Sequence, residues 1–459
     1  MHDNPPLTAD KVCRSPDDQV TETYAALKTH DALDVLMALS FRQEQDRLAG
    51  AETMPAVRPA QRPAQRGPGS HRKPREATRR HQHRSPSPVR GGFSEPRTTH
   101  IVAMIPAHNE EASIGATLRA LLAQTRCPDQ IIVMSDNSTD ATADVARQFP
   151  QVTVIETVGN THRKSGALNQ AWWRYAQHAD IVVGVDGDTV LPPHAVADWE
   201  KEFAAKPKLG GSSSQPIMTG HGFLPRLQRF EFSKSVTMSL SRGWCRVVSG
   251  TGCAYRGEAL RQAAQLPNHE GPWTYESVVE DYHLTFQMRK AGWLCEMSPT
   301  VYCHTGSMAT LKSLWYQRIK WQAGTCADLL RFGCNRLNYR EWLQQGFVLL
   351  SIAFWVVWLA LNGTEALTSG FRFSPFWQLF SLFFVAIEYS HVRRMRDHDW
   401  LDVILAVSLV QMVAYSVLSL SWAVVSWVKV LRGAMGDLWA PQYKAEGMAA
   451  QAMNIGVGS

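Results

Sequence analysis

Residues 403–428 read VILAVSLVQMVAYSVLSLSWAVVSWV and contain no charged side chain. A run of that length and composition reads as a bilayer-crossing helix. About 20 apolar residues span the hydrocarbon core, and a helix pairs its own backbone groups there. GFVLLSIAFWVVWLALNG at 346–363 reads the same way. FWQLFSLFFVAIEYS at 376–390 is shorter and carries Glu388, which makes it the weakest of three expected spans. Trp355, Trp358, Trp422 and Trp427 suit an aromatic-rich membrane segment. The basic loop HVRRMRD at 391–397 and the basic region before 346 both favour the cytoplasm, and two spans between them satisfy both. The third span then sends the tail outside, against the preference of Lys429, Arg432 and Lys444.

The other two thirds of the 459 residues obey different rules. From about Gly50 to Pro96 the chain is AETMPAVRPAQRPAQRGPGSHRKPREATRRHQHRSPSPVRGGFSEP, too poor in apolar surface to offset chain entropy, and a disordered arm is expected. Before it, TETYAALKTHDALDVLMALSFRQEQDRLAG reads as one helix with Leu33, Leu36 and Leu39 among its apolar positions. The net charge of +6 comes partly from this arm. Basic charge alone does not choose among nucleic acid, anionic lipid and acidic substrates. The arm has neither interleaved aromatics nor a folded reader, so no nucleic-acid partner is expected. The eight cysteines include no CxxC pair and read as reduced thiols. The opening MHDNPPLTADKVC lacks a basic segment followed by an apolar core, so no signal peptide is expected.

From Ile101 the pattern becomes strand, helix, strand. IVAMIPA, QIIVMSD, VTVIET and DIVVGVDGD are apolar runs separated by the helical stretches NEEASIGATLRALLAQ and TDATADVARQF. This alternation implies a mostly parallel sheet covered on both faces, with ligands bound beyond the carboxyl ends of its strands. His108, Asn109, Glu110, Asp136, Asp186 and Asp188 gather at those ends. Two carboxylates spaced as Asp186 and Asp188 are can hold Mg²⁺ or Mn²⁺ against a diphosphate, or can simply cap a solvated turn.

Four segments in register choose between these readings. IPAHNEE (105–111), IIVMSDNSTDAT (131–142), THRKSGALNQA (161–171) and VDGDT (185–189) resemble, in order and spacing, the PxxNE, IIVVDDGSTDxT, GKxxALNxG and DADT elements of the inverting family 2 glycosyltransferases. The resemblance implies an α/β GT-A (nucleotide-diphospho-sugar transferase) domain. It places Pro106, Glu110 and Asp136 at the uridine, Lys164 near the donor phosphates, Asp186 at the nucleotide and Asp188, with Asp186, on the metal. Ser135 and Asn137 depart from DDGSTD, and Asn tolerates the left-handed turn that Gly supplies. SVVEDYHLTFQMRKAGW (277–293) resembles TEDxDLxxRLxxAGY, which puts Glu280 and Asp281 on the acidic pair. Inverting transfer needs a base for the acceptor hydroxyl, and Asp281 is the expected one. Val279 and His283 replace the usual Thr and Asp. VSGTGCAYRGEAL (248–260) is similar to the glycine-rich segment ahead of the acceptor site, and Cys253 within it is read as a packing residue.

LWYQRIKWQAG (314–324) resembles the QxxRW element of the cellulose, chitin, hyaluronan and poly-N-acetylglucosamine synthases, with Gln317, Arg318 and Trp321 matching and Lys320 in place of Arg. The resemblance implies Trp321 stacking on an acceptor sugar and basic groups facing diphosphate. The same residues also suit an interfacial helix, as does HGFLPRLQRFEFSKSV at 221–236.

The expected organisation is an arm (1–97), a catalytic domain on the cytoplasmic side (98–335), C-terminal α-helical transmembrane segments (336–430) and a tail (431–459). The expected activity is a metal-dependent hexosyltransferase reaction from a UDP-hexose or UDP-N-acetylhexosamine to a growing polysaccharide. The arm stands where processive members carry spans. An export channel would therefore need the three C-terminal spans, a homo-oligomer or an accessory subunit. One alternative is a transferase adding single sugars to a polyprenyl-type lipid. The other is a membrane protein using its arginine-rich arm on nucleic acid or an anionic surface.

Overall fold

The computed structural model describes residues 98–369 and 375–457; the expected disordered arm and the helix before it lie outside these. The first half alternates as its apolar pattern requires: β1 (Ile101–Ala107), α1 (Ile114–Leu122), β2 (Gln130–Ser135), α2 (Thr142–Arg147), β3 (Val152–Glu156), α3 (Arg163–Ala171) and β4 (Ile181–Val185). There follow α4 (Ala195–Ala205), β5 (Leu209–Thr219), α5 (Phe223–Arg242), β6 (Gly252–Arg256), α6 (Gly257–Ala264), α7 (Glu280–Lys290) and β7 (Leu294–Gly306). The seven strands form one sheet in the order β3-β2-β1-β4-β6-β5-β7. β6 runs antiparallel to both its neighbours, with Val183 opposite Ala254 and Ser213 opposite Cys253, and the other pairings are parallel.

Burial on both faces explains why these strands read as continuous apolar runs. Ile101, Ala103 and Ile105 of β1 pack with Ile114, Leu118, Trp199 and Phe203 on one face. Val102 and Met104 pack with Ala167, Leu168, Trp172 and Leu284 on the other. Each such aliphatic side chain contributes roughly 1.5–3 kcal/mol when fully buried. β5 was not expected, because LGGSSSQPIMT lacks the apolar signal of a strand. Its small residues are buried nonetheless, and it pairs with β6 and with β7.

The remainder is helical: α8 (Leu311–Phe332), α9 (Tyr339–Ser369), α10 (Pro375–Val392), α11 (Trp400–Val407), α12 (Val410–Leu431) and α13 (Trp439–Val457). The runs expected to span at 346–363 and 376–390 lie within α9 and α10. The expected single span over 403–428 is corrected: the chain breaks at Leu409, whose φ is +59°, into α11 and α12. Among the described residues α12 is the one helix long and apolar enough to cross a membrane.

A buried charge fastens the first of these two helices. Asp402 of α11 is fully buried and accepts from Arg226 Nη1 of α5 at 2.6 Å, with Arg229 Nη2 at 3.3 Å. That ion pair ties the first third of the apolar run to α5 on the sheet domain. Asp399, which caps α11, accepts from Arg226 at 2.6 Å through both oxygens. The buried Glu388 of α10 is likewise held, by Lys234 Nζ at 2.6 Å and Gln411 Nε2 at 2.7 Å.

Removing one member of a buried ion pair leaves its partner uncompensated and costs about 3–5 kcal/mol. Asp402→Ala should therefore lower the thermal unfolding midpoint of the detergent-solubilised protein sharply. Asp399→Ala, at a half-exposed position, should lower it much less. Equal midpoints for the two variants would contradict this account of how α11 is held.

Candidate active site

The carboxyl ends of β1, β2 and β4 bring the expected donor residues together. β1 ends in Pro106, and Glu110 follows one turn later, its backbone N–H donating to Thr142 Oγ1 at 2.7 Å. After β2, Asp136 Oδ1 accepts from Asn160 Nδ2 at 2.7 Å, Thr157 Oγ1 at 2.7 Å and Asn137 Nδ2 at 3.0 Å. Among the described residues none donates to Asp136 Oδ2, so this oxygen is available to a ligand. Asn137 has φ +51°, as a turn position relieved of its usual glycine requires.

β4 delivers Asp186 and Asp188. Because β6 is antiparallel, its starting loop lies beside them, and the Asp186 N–H donates to Thr251 O at 3.2 Å. Lys164, in the first turn of α3, forms an ion pair with Asp186 and lies 3.8 Å from Glu280 at the start of α7. Gly250 permits this approach: an added Cβ would fall 2.6 Å from Lys164 Nζ. Lys164, Glu280 and Asp281 line one small cleft with Pro106, Leu168, Gly250, Cys253, Tyr255 and Trp273. Asp186 and Glu280 therefore meet around the Lys164 ammonium group, and Pro106 and Asp281 line the same cleft.

Burial shifts these groups, and their neighbours decide by how much. Burial pushes Glu110 up to about 8, with Asp188 and Asp186 adding to it. Asp188 is raised by burial and by Asp186, against hydrogen bonds from Thr189 and Thr305. Burial lifts Glu280 to about 7 against the pull of Lys164, and Asp281 is raised in the same way. Burial works against the Lys164 charge, but Asp186 and Glu280 overcome it and hold the ammonium above its ordinary range. Lys320 is buried and pushed down to about 8 despite Glu280 and Glu446.

The QxxRW-like residues divide between two faces of α8. Lys320 faces the cleft, whereas Arg318 donates to Glu231 Oε2 of α5 at 2.5 Å and to the neighbouring Gln317 Oε1 at 2.9 Å. Trp321 lies 4.4 Å under the Arg318 guanidinium and edge-on to Phe232. Arg318 and Trp321 are thus brought to α5, away from Asp281.

Sequence reasoning missed the contribution of α13. Lys320 Nζ sits 3.1 Å over the Trp439 ring, Tyr443 lies 4.6 Å from His108, and Asp437 pairs with Arg163. Glu446 adds negative charge near Lys320 and Glu110. No sequence signal marked these residues, since they belong to a tail with no motif. Trp273 was missed too, although Asn169 of the ALN segment holds its backbone through both amide groups, at 2.7 and 3.2 Å.

Among the described residues no three His, Cys, Asp or Glu side chains form a complete metal cage. The donor set still fits Mg²⁺ or Mn²⁺ bound mainly through phosphate, since such an ion needs only one or two carboxylates. Asp188 suits that role: burial leaves its charge poorly compensated, and only neutral hydroxyls, from Thr189 at 3.1 Å and Thr305 at 3.3 Å, donate to it from side chains. The seven described cysteines are free, and burial pushes Cys253 up to about 12, in keeping with a packing role.

Residues 96–324 match the model of the family described as Glycosyltransferase like family 2, and the chain carries a family 2 glycosyltransferase domain on a GT-A-like mixed α/β sheet. The chain is 24% identical over 240 residues to a poly-beta-1,6-N-acetyl-D-glucosamine synthase of Staphylococcus epidermidis, covering 50% of this chain and 55% of the relative. It is 25% identical over 239 residues to the protein of the same name from Staphylococcus aureus (strain COL), covering 50% and 56%. The chain thus spans about half the length of the curated relatives it matches. A solved structure of the mannosyltransferase PcManGT from Pyrobaculum calidifontis, in complex with GDP-Man and Mn²⁺, is similar at 17% identity and a TM-score of 0.46, covering 72% of this chain and 87% of that one.

The shifted groups give a pH prediction with a definite sign. If Asp281 is the proton acceptor that the sequence leads one to expect, it works only when ionised, and sugar-nucleotide turnover should rise with pH through a limb above the ordinary carboxylate range. If Lys320 faces a diphosphate, it does so best when charged, and turnover should fall again near pH 8. Lys320→Arg keeps the charge at higher pH and should move the alkaline limb upward in a kcat/KM profile. An unmoved limb would assign it to another group.

Proposed function

We propose that this protein is a membrane-embedded, metal-dependent inverting glycosyltransferase that adds sugar from a UDP-sugar to a growing polysaccharide. The observation that carries the reading is the convergence of Lys164, Asp186, Glu280 and Asp281 on one cleft at the strand ends. UDP-N-acetylglucosamine is the first donor to test, because the relatives are poly-beta-1,6-N-acetyl-D-glucosamine synthases.

In this reading Pro106, Glu110 and Asp136 hold the uridine, and Lys164 and Lys320 face the diphosphate, where cations stabilise charge developing on the leaving group. Asp188, with Asp186 beside it, would hold Mg²⁺ or Mn²⁺, which when bound neutralises phosphate charge. Asp281 takes the proton of the acceptor hydroxyl as that oxygen attacks the anomeric carbon from the face opposite the diphosphate. Glu280 keeps Lys164 in place. Gln317, Arg318 and Trp321, which pack together, with Arg318 and Trp321 against α5, take no part in the proton transfer in this reading. The domain division at 98–335 and 336–430 follows, with α9, α10 and α12 as the membrane region and the catalytic domain on the cytoplasmic side.

The packing of Trp321 against Phe232 and Arg318 favours a second reading, in which one or a few sugars are added to a polyprenyl-type lipid. Product length separates the two. Membranes given excess UDP-N-acetylglucosamine should yield a labelled ladder for the synthase reading and a single addition for the lipid reading.

Two substitutions test the roles directly. Asp281→Asn should lose about 10²–10⁴-fold in transfer while still binding UDP. Asp188→Asn should lose turnover and its dependence on added Mn²⁺ while still reaching the membrane. Full turnover by metal-free wild type in chelator would remove the metal from the reading.

A further inference from the structure

One stripe of α8 runs along the segment that leads into α7. Lys320, Gly324 and Asp328 are four residues apart, so the helix stacks them on one side. Lys320 faces Glu280. At Gly324 an added Cβ would lie 2.7 Å from Val278 Cγ2 and 2.9 Å from Val279, so α8 approaches this segment as closely as a glycine allows. Asp328, buried, accepts from Ser277 Oγ at 2.7 Å and from Arg331 Nη1 at 2.8 Å. His283 Nδ1 lies 3.4 Å from the same carboxylate, close enough for ion pairing though not aligned for a hydrogen bond. Ser277 Oγ in turn accepts from the Val279 N–H at 3.1 Å.

Asp328 therefore grips the chain just before Glu280 and Asp281 through Ser277, and it lies beside His283 just after them. A carboxylate buried this deeply is costly, and a well-packed apolar residue could hold two helices together at least as well. What the carboxylate adds is direction, because its partners fix the first turn of α7 about its own axis.

We infer that Asp328 is a positioning residue for the transfer proposed above: through Ser277, which in turn holds the Val279 N–H, it sets the orientation in which Asp281 meets the acceptor hydroxyl. The inference rests on that reading of Asp281 as the base. Asp328 touches neither donor nor acceptor. Its loss misdirects the base and leaves the nucleotide pocket at β1 and β2 intact.

The test uses the full chain in membranes with UDP-N-acetylglucosamine. Asp328→Asn should lower kcat on the order of 10- to 100-fold, as displacements of about 1 Å do, with the donor KM unchanged. In an Asp281→Asn background the same substitution should cause no further fall, because the group it positions is already gone. Independent, multiplicative losses in the double variant would overturn the inference, as would a raised KM at constant kcat. If Asp328→Asn fails to accumulate, Ser277→Ala leaves Asp328 paired with Arg331 and serves in the same comparison. It should lower kcat at constant KM, and an unchanged kcat would overturn the inference. Wild-type membranes that transfer no sugar would instead overturn the functional reading, before any variant is compared.

Discussion

The ammonium group of Lys164 is the contact on which the site depends. Asp186 follows β4 and Glu280 opens α7, and the cation lies between the two carboxylates. Withdraw the charge and the carboxylates face one another uncompensated, a repulsion that low dielectric magnifies. The fold is arranged to admit the lysine. α3 presents it from its first turn, Gly250 leaves room for it, and the antiparallel β6 brings the Gly250 loop to the end of β4. The one reversed strand in the sheet is thus what lets the Gly250 loop meet the carboxylates that follow β4.

The donor half of this arrangement was legible in sequence because its signals are local. β1, β2 and β4 are buried on both faces and read as apolar runs, and the residues that follow such runs in a parallel sheet fall at a ligand-binding edge. Pro106, Glu110, Asp136, Asp186 and Asp188 could be found in that way, and Lys164 by its place in a motif. β5 could not. Its Gly-Gly-Ser-Ser-Ser start packs because neighbouring bulky groups such as Trp293 fill the space that its own side chains leave. Burial by a neighbour's bulk has no periodicity of its own. Trp439, Tyr443 and Glu446 were hidden for a related reason: their positions depend on where α12 ends, which is a tertiary fact.

Apolar composition also proved an incomplete guide to the membrane region. The run at 403–428 has the length of a span, yet Asp402, one residue before it, is committed to Arg226 and Arg229. The chain pairs this carboxylate with two guanidinium groups and turns at Leu409. Glu388 follows the same logic. It marred an otherwise apolar segment, and it is the residue that Lys234 of α5 holds. The charges that look misplaced in α10 and α11 are the ones that fasten these helices to the sheet domain. The two faces of α8 serve the same joint, with Arg318 and Trp321 turned to α5 and Lys320 turned to the cleft.

The charge balance of the cleft bears on what it can receive. Glu110, Asp186, Asp188, Glu280, Asp281 and Glu446 act on one another there, and the ammonium groups set against them are Lys164 and Lys320. Burial lifts most of these carboxyl groups, which is how an apo site limits its own repulsion. A nucleotide diphosphate brings more negative charge, so alone it would meet an unfavourable field despite the two lysines. A divalent cation entering with the diphosphate reverses that, because it compensates Asp188 and the phosphate oxygens together. A cation held by Asp188 would offset the repulsion that this carboxylate exerts on Glu110. The raised carboxyl groups are therefore the expected signature of a site whose full charge complement includes an ion and its anionic ligand. Asp281 shares the elevation by burial, and Lys164 moderates it, which is the balance that the proposed role of proton acceptor calls for.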